Sequence, residues 1–77
     1  MKPIKYSRHA KNRMRWHRIT ESEIEMSIYN SDFRESFLGD KINAWKKLSE
    51  KYLRVTYKEE AERIFIITAV KKKKGWG

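Results

Sequence analysis

Residues 52–70 read YLRVTYKEEAERIFIITAV, and this stretch decides the fold. Over 52–58 the side chains alternate: Leu53, Val55 and Tyr57 fall on one face, Tyr52, Arg54 and Thr56 on the other. Residues 59–62 are polar apart from Ala61 and read as a turn of a length usual for hairpins. Over 63–70 both faces are apolar, with Ile64, Ile66 and Val70 on one and Phe65, Ile67 and Ala69 on the other. A strand apolar on both sides belongs inside a sheet, so this hairpin predicts the sheet's centre.

Working outward, the period of two extends upstream. Residues 33–38 predict a strand, Gly39-Asp40 a turn, and 42–48 a further strand, with a short helical turn over 44–48 as the open alternative. Before them the pattern is helical. Thr20 and Glu23 form a T-x-x-E capping box, Ile19 is placed to staple against Ile24, and Ile24 and Ile28 supply an apolar side. Glu21, Glu23 and Glu25 sit near the positive N-terminal end, and Asn30 suits the C-terminal stop. Ser7 caps an earlier helix running to about His17. One side of that helix gathers Ala10, Met14 and His17, with His9, Arg13 and Trp16 at its margin; the other holds Arg8, Lys11, Asn12, Arg15 and Arg18. Residues 1–6 contain Pro3 and read as an arm or edge strand. The expected fold is α+β: two N-terminal helices packed on one face of a three- to four-stranded antiparallel sheet, the other face partly open. Residues 1–70 form one domain and 71–77 a basic tail.

The chain has 77 residues, which supports one domain with a thin core. With no Cys it is neither a disulfide scaffold nor a thiolate zinc finger. No apolar run approaches the roughly 18 residues of a membrane span, and no secretory signal is visible, so a cytoplasmic location is expected. Three Trp, four Tyr and three Phe are too many for a disordered chain. The net charge of +9 is unevenly spread. Residues 1–18 carry seven cations and no acid, residues 19–40 six acids and one cation, and residues 63–77 five cations and no acid. Such a balance points to a polyanionic partner, nucleic acid first and an acidic protein second.

Several chemistries fall away. His9 and His17 are eight apart among cations, with no third ligand beside them, so no metal is expected. No Ser lies in a nucleophile elbow, and three Gly residues form no phosphate loop. The acids fall on a capped helix and in turns, where solvation explains them. What remains is cations, aromatic rings and two imidazoles. RNA cleavage needs a base for the 2′-OH, donors for the phosphate oxygens and an acid for the leaving oxygen. Histidine can be base or acid, arginine grips phosphate with a fork of donors, and no cofactor is required. His9 and Arg13 are one helical turn apart and can converge on one phosphate, with His17 a further candidate. Arg8, Arg54, Tyr57, Lys71, Lys72, Lys73 and Lys74 are candidate nucleic-acid contacts, although Arg54 and Tyr57 lie on opposite strand faces and do not serve one pocket. The competing reading is structural: core-edge histidines bonded to backbone, and Arg13 paired with an acid of the second helix such as Glu25. Trp16 and Trp45 read as packing residues; Trp76 sits in the basic tail.

Ser7-Arg8-His9-Ala10, Arg13-Met14 and Ile19-Thr20, with the acidic helix that follows, resemble a family of small prokaryotic domains with the pattern S-x-H-A-x-x-R-M-x-x-R-x-I-S/T. Its later strands resemble residues 53–57 and 66–70. That family, formally of unknown function, is similar to the BrnT and RelE/ParE-like toxins of type II toxin–antitoxin systems. The match covers most of the chain and is specific in the first helix. One departure stands out: His17-Arg18 replaces the usual Arg-Gly. The resemblance implies a RelE-like fold and a metal-independent endoribonuclease acting on RNA and held inactive by an acidic antitoxin. ParE-type relatives act instead on gyrase, so a protein-directed toxin relative, or a non-catalytic RNA- or DNA-binding module, is the alternative.

Overall fold

A computed structural model describes residues 2–73. The chain runs β1 (Ile4–Tyr6), α1 (Arg8–His17), α2 (Glu21–Tyr29), β2 (Phe33–Phe37), β3 (Lys41–Lys47), β4 (Tyr52–Glu59) and β5 (Ile64–Lys72). The strands form one sheet in the order β1-β5-β4-β3-β2. The α+β class and the two leading helices match expectation, but the sheet has five strands and is mixed. β1 joins parallel to β5, with Ile4 opposite Ile64 and Tyr6 opposite Ile66, while β2 through β5 pair antiparallel. Pro3 precedes the edge strand, where its missing N–H is no loss, and its carbonyl accepts the Ile64 N–H at 2.9 Å. β5 continues through Lys71 and Lys72, so the sheet takes in the start of the segment expected as a tail.

Local chemistry sets the helix ends. The Ser7 hydroxyl accepts the Ala10 N–H at 2.9 Å and opens α1. The capping box of α2 is complete: Glu23 N–H reaches Thr20 Oγ1 at 3.1 Å and Thr20 N–H reaches Glu23 Oε1 at 2.9 Å. α1 stops in a Schellman motif. Arg18 N–H bonds to the Arg15 carbonyl and Ile19 N–H to the Met14 carbonyl at 2.8 Å. Ile19 and Met14, which flank this reversal, are both in the core.

Both helices lie on one face of the sheet. Ala10 and Met14 of α1 and Ile24 and Ile28 of α2 meet Ala44, Leu53, Val55, Tyr57, Ile64, Ile66 and Ala69 in one apolar cluster. Strict alternation would put Val70 with Ile64 and Ile66, and Ala69 with Phe65. A β-bulge reverses this: Thr56 pairs with Thr68 but Tyr57 with Ile66, leaving Ile67 as an extra residue. Beyond it Ala69 faces the helices and Val70 faces away. The Ile67 carbonyl accepts the Ser7 hydroxyl at 2.8 Å, tying the bulge to the start of α1. Trp16, expected to pack, is 77% exposed, because the buried stripe of α1 is no wider than Ala10 and Met14. Trp45 is buried as expected, but on the sheet face away from the helices.

Candidate functional site

The candidates on α1 separate along its length. His9 is exposed in the first turn. Arg13, one turn on, is half-buried, its guanidinium carbon 5.5 Å from the centroid of the Trp16 ring. Trp16 stacks on His17 with centroids 6.3 Å apart and planes 23° apart. Arg13, Trp16 and His17 thus form a stacked run at the C-terminal half of the helix, without His9.

His17 lines a cleft of about 350 Å3. The end of α1 contributes His17 and Arg18, the connection between β3 and β4 contributes Glu50 and Lys51, β5 contributes Lys71, and α2 contributes Glu23. The bulge puts Lys71 there. After the extra residue, odd-numbered positions of β5 face the helices, so Lys71 points to the cleft and Lys72 to the opposite face. Lys71 Nζ donates to the Arg18 carbonyl at 3.2 Å and lies 3.8 Å from the Glu23 carboxylate, which also caps α2. Arg18 holds a left-handed conformation, φ 56° and ψ 48°, where glycine is the ordinary residue.

The electrostatics of the cleft act on the imidazole. Burial first, and then the charges of Arg13, Lys51 and Lys71, lower the His17 pKa below the ordinary 6.5. A helix C-terminus by itself favours a cationic imidazole, whereas burial and the three neighbouring cations all act in the opposite direction. At neutral pH His17 is therefore uncharged, with a nitrogen lone pair able to accept a proton beside cations able to hold a phosphate.

The other expected contacts lie elsewhere. Tyr57 is 1% exposed in the core, where burial raises its phenol pKa, and it offers no surface to a nucleic acid. Arg54 is on the helix-free face, 5.8 Å over the Trp45 ring, and cannot join the cleft. Arg8, Lys72 and Lys73 are exposed. Lys74 and Trp76 lie outside the described residues. No ion pair joins Arg13 to Glu25 among the described residues. Sequence reasoning missed Arg18, Lys51 and Glu23 as cleft residues. The capping box was the one available signal for Glu23, since it fixes that carboxylate at the helix start.

Fold and site together define a class: a small α+β domain whose two helices cover one face of a five-stranded mixed sheet, with a cationic cleft around one imidazole. The chain belongs to the family described as Domain of unknown function (DUF4258), which matches it over residues 6–71, a span holding both helices and Lys71. No curated protein and no solved structure matches the chain. Among the described residues no helix is long and apolar enough to cross a membrane.

Proposed function

We propose that this protein binds RNA through the His17 cleft and cleaves it by metal-independent acid–base chemistry. The observation that carries the reading is the His17 imidazole placed in one cleft with Arg18, Lys51 and Lys71, where burial and the charges of Arg13, Lys51 and Lys71 lower its pKa. His17 takes the proton of a ribose 2′-OH, and that oxygen attacks the adjacent phosphorus. The bond from phosphorus to the 5′-oxygen breaks, and the Lys51 ammonium gives the leaving oxygen its proton. The products are a 2′,3′-cyclic phosphate and a 5′-hydroxyl. Arg13 and Arg18 neutralise the charge that builds on the phosphate oxygens. His9 and Arg8 serve as outlying backbone contacts rather than as the base. The resemblance of residues 7–20 to toxin-like domains supports an RNA substrate, and an acidic antitoxin would cover the same cations.

Cleavage of a labelled single-stranded RNA in EDTA tests this. The wild type should yield 2′,3′-cyclic phosphate ends. His17→Gln should lose about 10²- to 10⁴-fold in rate, the usual contribution of a general base, while RNA affinity stays within about twofold. His9→Ala should keep most of the activity. A His17→Gln protein that cleaves at the wild-type rate overturns the mechanism. One observation favours a second reading, binding without cleavage: His17 is the single imidazole in the cleft. RNA that stays intact while bound would establish that reading instead.

A further inference from the structure

Among the described residues Trp16 is the most exposed large hydrophobic side chain, at 77%. It takes no part in the core, and it stands beside the His17 cleft rather than in it. The ring is nevertheless held. The Arg13 guanidinium carbon lies 5.5 Å from its centroid, and the His17 ring lies 6.3 Å away, inclined by 23°. These two neighbours orient the indole while leaving most of it open to solvent.

The helix around the ring is cationic. His9, Arg13 and Trp16 stand at i, i+4 and i+7 of α1 and share one side of it. That side abuts His17, which lines the cleft. The helix holds no acid, and Arg8, Lys11, Arg13 and Arg15 form no ion pair among the described residues. A polynucleotide with one phosphate in the cleft therefore leaves it past further cations, and meets a flat ring one residue from the imidazole. Cations for phosphates and an open ring for a base plane are the two parts of a single-strand site. An acidic peptide would pair with the cations but has no plane to lay on the indole. A duplex keeps its bases stacked on one another and offers none either. Arg13 and His17 fix the ring before a base arrives, which lessens the side-chain entropy lost on stacking.

We propose that Trp16 is the base-stacking residue of the His17 cleft: it takes the base of the nucleotide next to the phosphate held there, so that the site accepts unpaired strands and rejects duplex. This role rests on the proposed binding of RNA at the cleft, but not on its cleavage there.

The test is fluorescence anisotropy with two labelled strands of about 12 nucleotides, within the usual span of a single-strand site. One is oligo-dA, which has no 2′-OH and is not cleaved. The other is a run of abasic sites with the same phosphates and no bases. Trp16 lies outside the core, so Trp16→Leu should melt as the wild type does. The wild type should bind oligo-dA more tightly than the abasic strand. Trp16→Leu should weaken oligo-dA by about fivefold or more, the loss of one base stack, and leave the abasic strand within about twofold. Trp16→Phe should recover most of the loss, since a ring remains. Tyr29→Leu, which removes an exposed ring on the acidic α2, should bind oligo-dA as the wild type does. In EDTA, single-stranded RNA should be cut and the same RNA annealed to its complement spared. A Trp16→Leu protein with wild-type affinity for oligo-dA overturns the role. So do equal losses on both strands, which would reduce Trp16 to a support for Arg13 and His17, and an equal loss from Tyr29→Leu. A wild type that binds the abasic strand as tightly as oligo-dA, or that cuts duplex as fast as single strand, overturns it too. If the wild type cuts neither RNA, the cleavage mechanism fails while the oligo-dA titrations still decide the stacking.

Discussion

Arg18→Gly should make the protein more stable and its grip on polyanions weaker. Arg18 closes α1 at φ 56° and ψ 48°. A side chain in that conformation costs about 1–2 kcal/mol through the clash of Cβ with the following carbonyl. Glycine removes the clash but gains freedom in the unfolded chain, which returns about 0.4–1 kcal/mol. The net gain is about 0.5–1 kcal/mol, or about 2–8 °C in Tm for a domain of this size. The contact from Lys71 survives, because it goes to the Arg18 carbonyl and not to the guanidinium. Binding should move the other way, with the salt slope for a single strand falling by about 0.7 for one lost phosphate contact. Arg18→Ala separates the causes. It removes the charge and keeps the Cβ, so it should weaken binding similarly with little gain in Tm. Differential scanning calorimetry and anisotropy titrations read both effects. A glycine variant that melts below the wild type would refute the strain argument. An alanine variant as stable as the glycine variant would show that charge relief, not φ, drives the gain.

Three further outcomes follow from buried or shifted groups. The folded His17 pKa lies below its ordinary 6.5, so below about that pH the unfolded chain binds more protons and stability falls as pH drops; His17→Gln should flatten that fall in urea melts at pH 5 and 7.5. Tyr6 is held at about 12 by burial and by Glu21 and Glu25. Its phenol should stay protonated to high pH in an ultraviolet titration, and stability should fall above pH 10, where the unfolded phenol ionises first. Ser27 is fully buried in α2 with its hydroxyl unbonded, so Ser27→Ala should raise Tm by about 4–8 °C per kcal/mol gained, with roughly 1 kcal/mol expected from the relieved hydroxyl and better helix propensity. An unchanged or lower Tm would mean that the hydroxyl has a partner.

What was legible in the sequence is local, and what was not depends on distant pairing or on a residue that breaks a local rule. The caps at Ser7 and Thr20 and the alternation in 52–58 announce themselves within a few residues. The parallel pairing of β1 with β5 joins positions some sixty residues apart through a three-residue strand, and no period reveals that. Trp16 falls on the margin of the apolar arc, yet packing stops at Met14 and leaves it in water. The His17 cleft is built from two such violations. Arg18 stands in the left-handed conformation that glycine ordinarily takes. The extra residue at Ile67 reverses the end of β5, bringing Lys71 to the imidazole and sending Lys72 to the opposite face. A bulge and a left-handed arginine both oppose stability, and both aim a cation at the same small space. The other left-handed side chain, Leu38 at φ 45°, lies between β2 and β3 away from the cleft, but strained or irregular backbone is often kept where function constrains a chain, so the meeting of Arg18 and the bulge at His17 rather than at His9 is the physical reason the proposed chemistry is assigned to the end of the first helix.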